Sequence, residues 1–201
     1  MGNVTPEFAE ILGLLCAEGC YVVQYDTYWG KDGNKTRFYD HHKSERVEFF
    51  NKDKKLLERL KELLAKEFNY SANITPLGKI NICNRKVIGE ILNQTKLGHL
   101  KWRVPEQIMN SCETVKISFV RGYFDGDGTI SNRARLFSTN FAGLKQVSKL
   151  LEDLQIKHTF PYPQIKEKRK PIYSIQIMEK EKQRFLNLVK PISKRPGIRR
   201  G

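Results

Sequence analysis

The sequence contains the same segment twice, and this internal repeat constrains the fold more than any other feature. An apolar stretch that ends in an acidic residue and a glycine occurs as EFAEILGLLCAEG at 7–19 and as VKISFVRGYFDGDG at 115–128. The two copies are offset by 109 positions throughout, as from Gly13 to Gly122. Self-similarity at a fixed offset indicates a tandem duplication. The chain is therefore expected to form two halves built to one plan.

The residues after each copy predict the same order of elements. In the first half, CYVVQYDTYW, the turn KDGNK and TRFYDHHKSERVEFF predict a hairpin, because Tyr and Val alternate with polar residues. The leucine spacing of NKDKKLLERLKELLAKEF predicts a helix. SANITPL and KINIC predict a short hairpin, and RKVIGEILNQ predicts another helix.

The second half repeats that order. It has a hairpin over 129–139, a helix from Asn140, the strands HTFPYPQI and PIYSIQI, and the helix EKEKQRFLNLV. The predicted fold is α+β, with two pseudo-symmetric αββαββα halves at 1–98 and 114–201 and a linker at 99–113.

The charge of the chain indicates a polyanionic partner. Lys and Arg total 36 against 22 Asp and Glu, for a net charge of +14, and 164–201 alone holds 12 basic residues and three Glu. An excess of this kind on a globular chain is typical of nucleic-acid binding. No apolar run reaches the roughly 20 residues of a membrane span, and no signal sequence is visible. We therefore expect a cytoplasmic protein, or one of an organellar matrix, with its four cysteines as reduced thiols.

Small residues recur on one face of each repeated helix, at Gly13 and Ala17 and again at Gly122 and Gly126. Such residues let two helix backbones approach closely, so the two helices can pack as a seam between the halves. The acids that end them would then lie side by side, each followed by a glycine suited to positive φ. Paired carboxylates repel each other, and an oxygen-only ligand set of this kind suits Mg²⁺.

The residues ILGLLCAEG at 11–19 and VRGYFDGDG at 120–128 resemble the LAGLIDADG signature. With strands after each copy, the chain resembles the single-chain LAGLIDADG homing endonucleases over essentially its whole length. The resemblance implies two antiparallel sheets that form a saddle over duplex DNA, packed through the two motif helices. It also implies a monomer that hydrolyses both DNA strands and leaves 3′ overhangs.

The resemblance implies a metal site at the end of the seam, with Mg²⁺ as cofactor and Ca²⁺ or Mn²⁺ able to substitute. The expected site comprises Glu18, Asp127, Ala17, Gly19 and Gly126. Glu18 stands where the signature has Asp, and it still supplies a carboxylate.

Further catalytic candidates come from the same resemblance. Asn51 and Asn140 match polar positions before the second helix of each half, where they could order solvent or cap the helix. Lys101, in LGHLKWRVP, matches the family's central lysine, and Lys194 is its counterpart in the second half. Either lysine could stabilise transition-state charge or simply contact phosphate.

Strand alternation predicts which side chains face DNA, because successive residues point to opposite faces. Arg, Gln, Asn and acidic side chains can read base edges, whereas the lysine-rich loop IKEKRKP suits phosphate. The predicted DNA-binding residues are Gln24, Asp26, Tyr28, His42, Ser44, Arg46, Glu48, Lys79, Asn81, Ser131, Arg133, Arg135, Gln164, Lys166, Lys168, Arg169 and Ser174.

Two other functions compete with the endonuclease. The same scaffold could serve as an RNA-splicing maturase or as a non-cleaving DNA-binding protein, although retention of both acids favours cleavage. An endonuclease domain from an intein is disfavoured by the initial Met1, the absence of a splicing Cys or Ser there, and the RRG ending. We therefore expect a free-standing, intron-encoded endonuclease.

Overall fold

The structure is a computed structural model, which describes residues 4–164 and 170–192. Its helices are α1 (Pro6–Glu18), α2 (Lys54–Phe68), α3 (Arg85–Gln94), α4 (Glu106–Met109), α5 (Glu113–Asp127), α6 (Phe141–Asp153) and α7 (Lys182–Val189). Its strands are β1 (Gly19–Asp32), β2 (Lys35–Phe50), β3 (Lys79–Ile82), β4 (Gly128–Ile130), β5 (Ala134–Ser138), β6 (Tyr162–Gln164) and β7 (Ile172–Gln176). A 3₁₀ turn, Glu179–Glu181, precedes α7.

The strands form two antiparallel sheets, one in each half, as the duplication predicts. The first sheet has the order β1-β2-β3 and the second the order β4-β5-β7-β6. The α+β fold with two pseudo-symmetric halves is confirmed. One predicted strand of the first half is reduced to a single bridge between Ile74 and Ile80, which is followed by a tight turn that contains Pro76 and Gly78, the latter at φ +74°.

Close approach of α1 and α5 makes the seam between the halves. A Cβ added to Gly13 would lie 2.2 Å from the backbone oxygen of Phe119. In the reverse direction, a Cβ on Gly122 would lie 2.2 Å from the backbone oxygen of Glu10. Real Cβ atoms do not approach that closely, so both positions require glycine. The predicted packing of the two motif helices is confirmed.

The glycines that follow the two acids serve a different purpose from the one predicted. Gly19 has φ −89° and Gly128 has φ −90°, which is extended backbone open to any residue. The expectation of positive φ at these positions is wrong. Space is what excludes a side chain there, since a Cβ would lie 2.5 Å from the oxygen of Leu15 at Gly19 and 2.3 Å from the Phe124 ring at Gly128.

Apolar faces of the remaining helices cover one side of each sheet. The leucines of α2 and the apolar residues of α6 that set the predicted periodicity are buried, as are Val47 and Phe49 on β2. Polar side chains occupy the opposite face of each sheet, including Arg46 and Glu48 in the first and Arg135 in the second, and we call this the open face. None of the described helices is long and apolar enough to cross a bilayer.

An ionic cluster ties α1 to both neighbouring helices. Glu10 is 2% exposed and accepts two hydrogen bonds of 2.8 Å from the Arg59 guanidinium on α2. Arg121 on α5 donates to the same carboxylate at 3.4 Å and to the backbone oxygen of Val189 at 2.6 Å. One buried carboxylate therefore links α1, α2, α5 and the end of α7.

Candidate active site and nucleic-acid interface

The two motif acids end neighbouring helices on the side of the open sheet faces. Glu18 is the last residue of α1, and Asp127 is the last residue of α5. A Cβ built on Gly126 would lie 2.4 Å from the Ala17 Cβ and 3.4 Å from the Glu18 Cγ. The Glu18 side chain therefore packs against Gly126, the residue that precedes Asp127, and the ends of the two motif helices lie side by side.

The electrostatics of this site favour a cation. Each carboxylate stands at a helix C-terminus, where the aligned peptide dipoles already place partial negative charge. Among the described residues, no group of three or more His, Cys, Asp or Glu is arranged to hold a metal. Mg²⁺ in proteins keeps several waters and is commonly bound by one or two carboxylates together with substrate phosphates. Two carboxylates with no further protein ligands among the described residues are consistent with this type of coordination.

Strand register places an equivalent row of side chains beside each acid. In the first half, Cys20 pairs with Glu48, which pairs with Asn81 on β3. In the second half, Thr129 pairs with Arg135, which pairs with Gln176 on β7.

The two rows differ in charge at their centre, where the first half has Glu48 and the second has Arg135. The Oδ1 atom of Asn81 and the Nε atom of Arg135 are buried without a hydrogen-bond partner. Each row thus offers an unsatisfied polar atom next to the acids.

A hydrogen-bonded network covers the open face of the first sheet. Arg46 donates to Glu48 at 2.6 Å and to Gln24 at 3.2 Å. Gln24 donates to Asp26 at 2.7 Å, and Lys79 donates to Glu48 at 2.9 Å. The hydrogen bonds from Arg46 and Lys79 hold the pKa of the Glu48 carboxyl below its ordinary value. The register thus gathers on one face the first-half residues predicted to contact DNA, including Ser44 opposite Gln24.

Beyond this network the β1–β2 hairpin extends as a two-stranded ribbon with aromatic side chains. A bulge lies between Asp26 and Tyr28, with His41 at φ +48°. Tyr28 and Tyr39 stack at 5.2 Å, and both meet the His42 ring edge-on, at 6.0 and 5.8 Å. The predicted positions Tyr28 and His42 therefore belong to one aromatic cluster.

The second sheet departs from the prediction at two positions. Ser174 is fully buried and accepts a hydrogen bond from Gln164 at 3.1 Å. Its prediction as a DNA contact is wrong, because neighbouring side chains cover it, and it orients Gln164 instead. Ser131 lies in the turn before β5 rather than on a strand. Arg133 is exposed and donates to Gln176 at 2.9 Å.

The matched pair Asn51 and Asn140 is not equivalent in the structure. Gly19 pairs with Phe49 and Gly128 pairs with Leu136, so position 51 corresponds to 138 and position 53 to 140. The N-cap of α2 is accordingly Asp53, and capping by Asn51 is wrong.

Asn51 and Ser138 share another role. Asn51 accepts the backbone N–H of Asp53 at 2.9 Å, and Ser138 accepts that of Asn140 at 3.0 Å. Asn140 does cap α6, accepting from Gly143 at 3.0 Å, and its amide nitrogen donates to the Trp102 oxygen at 2.7 Å.

The linker loop brings further polar groups to the acids. Trp102 is 2% exposed and packs 5.1 Å from the Tyr123 ring, which anchors the loop on α5. Its neighbour Lys101 is exposed. A cavity of about 280 Å³ opens beside the loop; Ala17, His99, Trp102, Asp127, Phe137, Ser138, Thr139 and Ile172 line it. Sequence reasoning missed His99, although it stands two residues before Lys101.

Four predicted residues lie outside the described ranges, and they are Lys166, Lys168, Arg169 and Lys194.

Comparison with known proteins agrees with this architecture. A family model described as a LAGLIDADG-like domain matches residues 114–190. The chain is similar to a DNA polymerase of Methanocaldococcus jannaschii, with 24% identity over 195 residues that cover 93% of this chain and 11% of the polymerase. A DNA polymerase of Thermococcus sp. is 30% identical over 138 residues, which cover 67% of this chain and 7% of that protein. The chain thus spans only about a tenth of the curated relatives that it matches.

Solved structures show the same fold. Mesophilic variants of the homing endonuclease I-DmoI match with a TM-score of 0.65 and 20% identity, covering 94% of this chain and 97% of theirs. I-DmoI in complex with DNA and Mn matches with a TM-score of 0.64 and 19% identity, over 92% and 96% of the two chains. The N-terminal LAGLIDADG domain of DUF199/WhiA matches with a TM-score of 0.55 and 18% identity, over 100% and 88%.

Proposed function

Because this chain belongs to the LAGLIDADG family and carries both motifs, we propose that it is a site-specific DNA endonuclease that cuts both strands of a long duplex target. One observation carries the proposal. The duplicated helices meet through Gly13 and Gly122, stay in contact down to Gly126 and Ala17, and each ends at the next position of the motif in an acid. An interface evolved for packing alone needs the glycines but not the acids. The similar I-DmoI structure is a complex with DNA and Mn.

The open sheet faces supply the binding surface. The row centred on Glu48 can accept hydrogen bonds from cytosine, and the row centred on Arg135 can donate to guanine. Both rows lie next to the acids, so they would meet base pairs close to the cleaved bonds. The net charge of +14 supports phosphate contacts along the rest of the saddle.

Glu18 and Asp127 hold the divalent ion, which we propose is Mg²⁺. When bound, the ion lowers the pKa of an attacking water and offsets charge on the leaving oxygen. Lys101 stands on the exposed edge of the anchored loop, where a cation can stabilise charge on the transferring phosphate. We further propose that the enzyme is a monomer, since its two halves already supply both acids, and that the cut leaves 3′ overhangs.

Cleavage of a randomised duplex library in Mg²⁺ tests the proposal, with Glu18→Gln and Asp127→Asn as isosteric variants. We expect the native chain to cut a subset of duplexes, and both variants to bind the same duplexes without cutting. End sequencing of the products reports the overhang. Binding without metal-dependent cutting by the native chain would instead identify a non-cleaving DNA-binding protein, and selective binding of structured RNA would identify a maturase.

The gene context requires a separate test. We propose that the protein is intron-encoded, whereas the polymerase relatives contain a similar segment within a much longer chain. Sequencing the flanking DNA decides between the two. A reading frame that continues on both sides into splicing and host-protein segments would contradict the proposal.

A further inference from the structure

The two halves differ in one polar side chain that follows the second strand of each hairpin, although the strand register is equivalent. Register places Asn51 in the first half where Ser138 stands in the second. A serine side chain is shorter than an asparagine side chain and has no amide nitrogen. The second half therefore lacks, at this position, the amide that the first half presents.

The cavity beside Asp127 contains a group that replaces this amide. His99 lines it together with Ser138 and Thr139. The Ser138 hydroxyl oxygen already accepts from the backbone of Asn140 at 3.0 Å, and Thr139 donates its hydroxyl to the backbone oxygen of His99 at 3.3 Å. The latter bond fixes the backbone of His99, an exposed residue that lines the cavity.

The volume of the cavity suits ordered water. At about 280 Å³ it exceeds the roughly 30 Å³ that one water occupies in the liquid. Asp127 lines it together with the apolar Ala17, Trp102 and Phe137. Water entering such a space needs polar partners, and Asp127 and His99 are both among the lining residues.

We propose that His99 is a water-positioning residue of the cleavage centre at Asp127, and that the centre at Glu18 does not use it. This inference rests on the proposed endonuclease function. The imidazole nitrogen hydrogen-bonds the attacking water and fixes its approach to the phosphorus. Misplacement of a reacting group by 1 Å can cost about 100-fold in rate. Loss of the ring nitrogens should therefore slow one strand and spare the other.

The test is strand-resolved cleavage of a supercoiled plasmid that carries a duplex recovered from the library. We expect His99→Phe to slow one strand by about 10- to 100-fold, so that nicked circles accumulate. His99→Gln retains a side-chain amide and should restore most of the rate. His158→Gln is the matched control, because the His158 ring contacts Ser148 on α6, and it should cut both strands at the native rate. DNA binding and thermal unfolding should be unchanged in His99→Phe.

The results separate this inference from the function on which it rests. Equal cutting of both strands by His99→Phe at the native rate would overturn the inference alone. If His99→Phe slows cleavage of both strands equally, lowers the midpoint of thermal unfolding and is not rescued by His99→Gln, the role of His99 is structural. That result would also overturn the inference. A native chain that cuts no duplex under any metal would overturn the proposed function, and the inference with it.

Discussion

Replacement of Gly13 by alanine tests the seam on which the site depends. The added Cβ would lie 2.2 Å from the backbone oxygen of Phe119 and 2.8 Å from the backbone nitrogen of Tyr123. Ordinary contacts begin near 3.4 Å, so α1 and α5 must separate by about 1 Å in a close-packed interior. Backbone atoms cannot rotate away as a side chain can, so the whole helix must move.

The magnitude follows from two opposing effects. Overpacking of a well-packed interior costs about 1–3 kcal/mol, and a backbone clash belongs at the upper end. Alanine is preferred over glycine within a helix by about 1 kcal/mol, which offsets part of that cost. We therefore expect Gly13→Ala to lower the free energy of unfolding by about 2 kcal/mol.

Gly89 provides the matched control, because it lies within α3 and a Cβ there would meet nothing within 4 Å. Gly89→Ala should raise the free energy of unfolding by about 0.5–1 kcal/mol. Urea unfolding of both variants measures the difference. Separation of α1 from α5 should also displace Glu18 from Asp127, so DNA cleavage by Gly13→Ala should fall more than stability alone explains. Equal stability of the two variants would refute the close-approach argument.

Three further predictions concern single side chains. Asn140→Ala removes an N-cap and one of the two donors to the Trp102 oxygen, which keeps its hydrogen bond from Arg103 at 2.8 Å, so unfolding by urea should show a loss of about 1–2 kcal/mol. Burial raises the pKa of the Cys16 thiol, so alkylation at neutral pH followed by mass spectrometry should label the exposed cysteines and leave Cys16 intact until the protein unfolds. Because the pKa of Glu48 is lowered, its ionised form adds stability at neutral pH, and this stability is lost as the pH falls through the lowered pKa. The difference in free energy of unfolding between the native protein and Glu48→Gln should therefore shrink on acidification. A difference that stays constant with pH would contradict this prediction.

The sequence was sufficient to predict the architecture because backbone packing leaves a strong signal. Gly13 and Gly122 each admit the other helix's backbone, so neither tolerates a side chain. Alternation along β2 likewise placed Val47 and Phe49 in the core and Glu48 on the open face.

Features that depend on three-dimensional neighbours were beyond sequence reasoning. Asn51 was matched to Asn140 because each precedes the second helix of its half. Strand register shows instead that Asn51 corresponds to Ser138, and register cannot be read from the sequence. Ser174 follows the predicted alternation but is fully buried, and its hydroxyl accepts a hydrogen bond from Gln164 on the neighbouring strand β6. His99 carries no motif signal, since its place beside Asp127 depends on how Trp102 anchors the loop.

The duplication has diverged unevenly, and the pattern of divergence indicates what each part does. Positions that meet the partner helix stayed small in both halves, because a backbone clash penalises every alternative. The row centres became Glu48 and Arg135, which present opposite charge to whatever lies over the sheets. A palindromic duplex would present the same bases to both rows and could satisfy only one of them. The cleaved sequence should therefore be asymmetric near its centre, and exchange of Glu48 and Arg135 should invert the preferred orientation of that centre relative to the outer target.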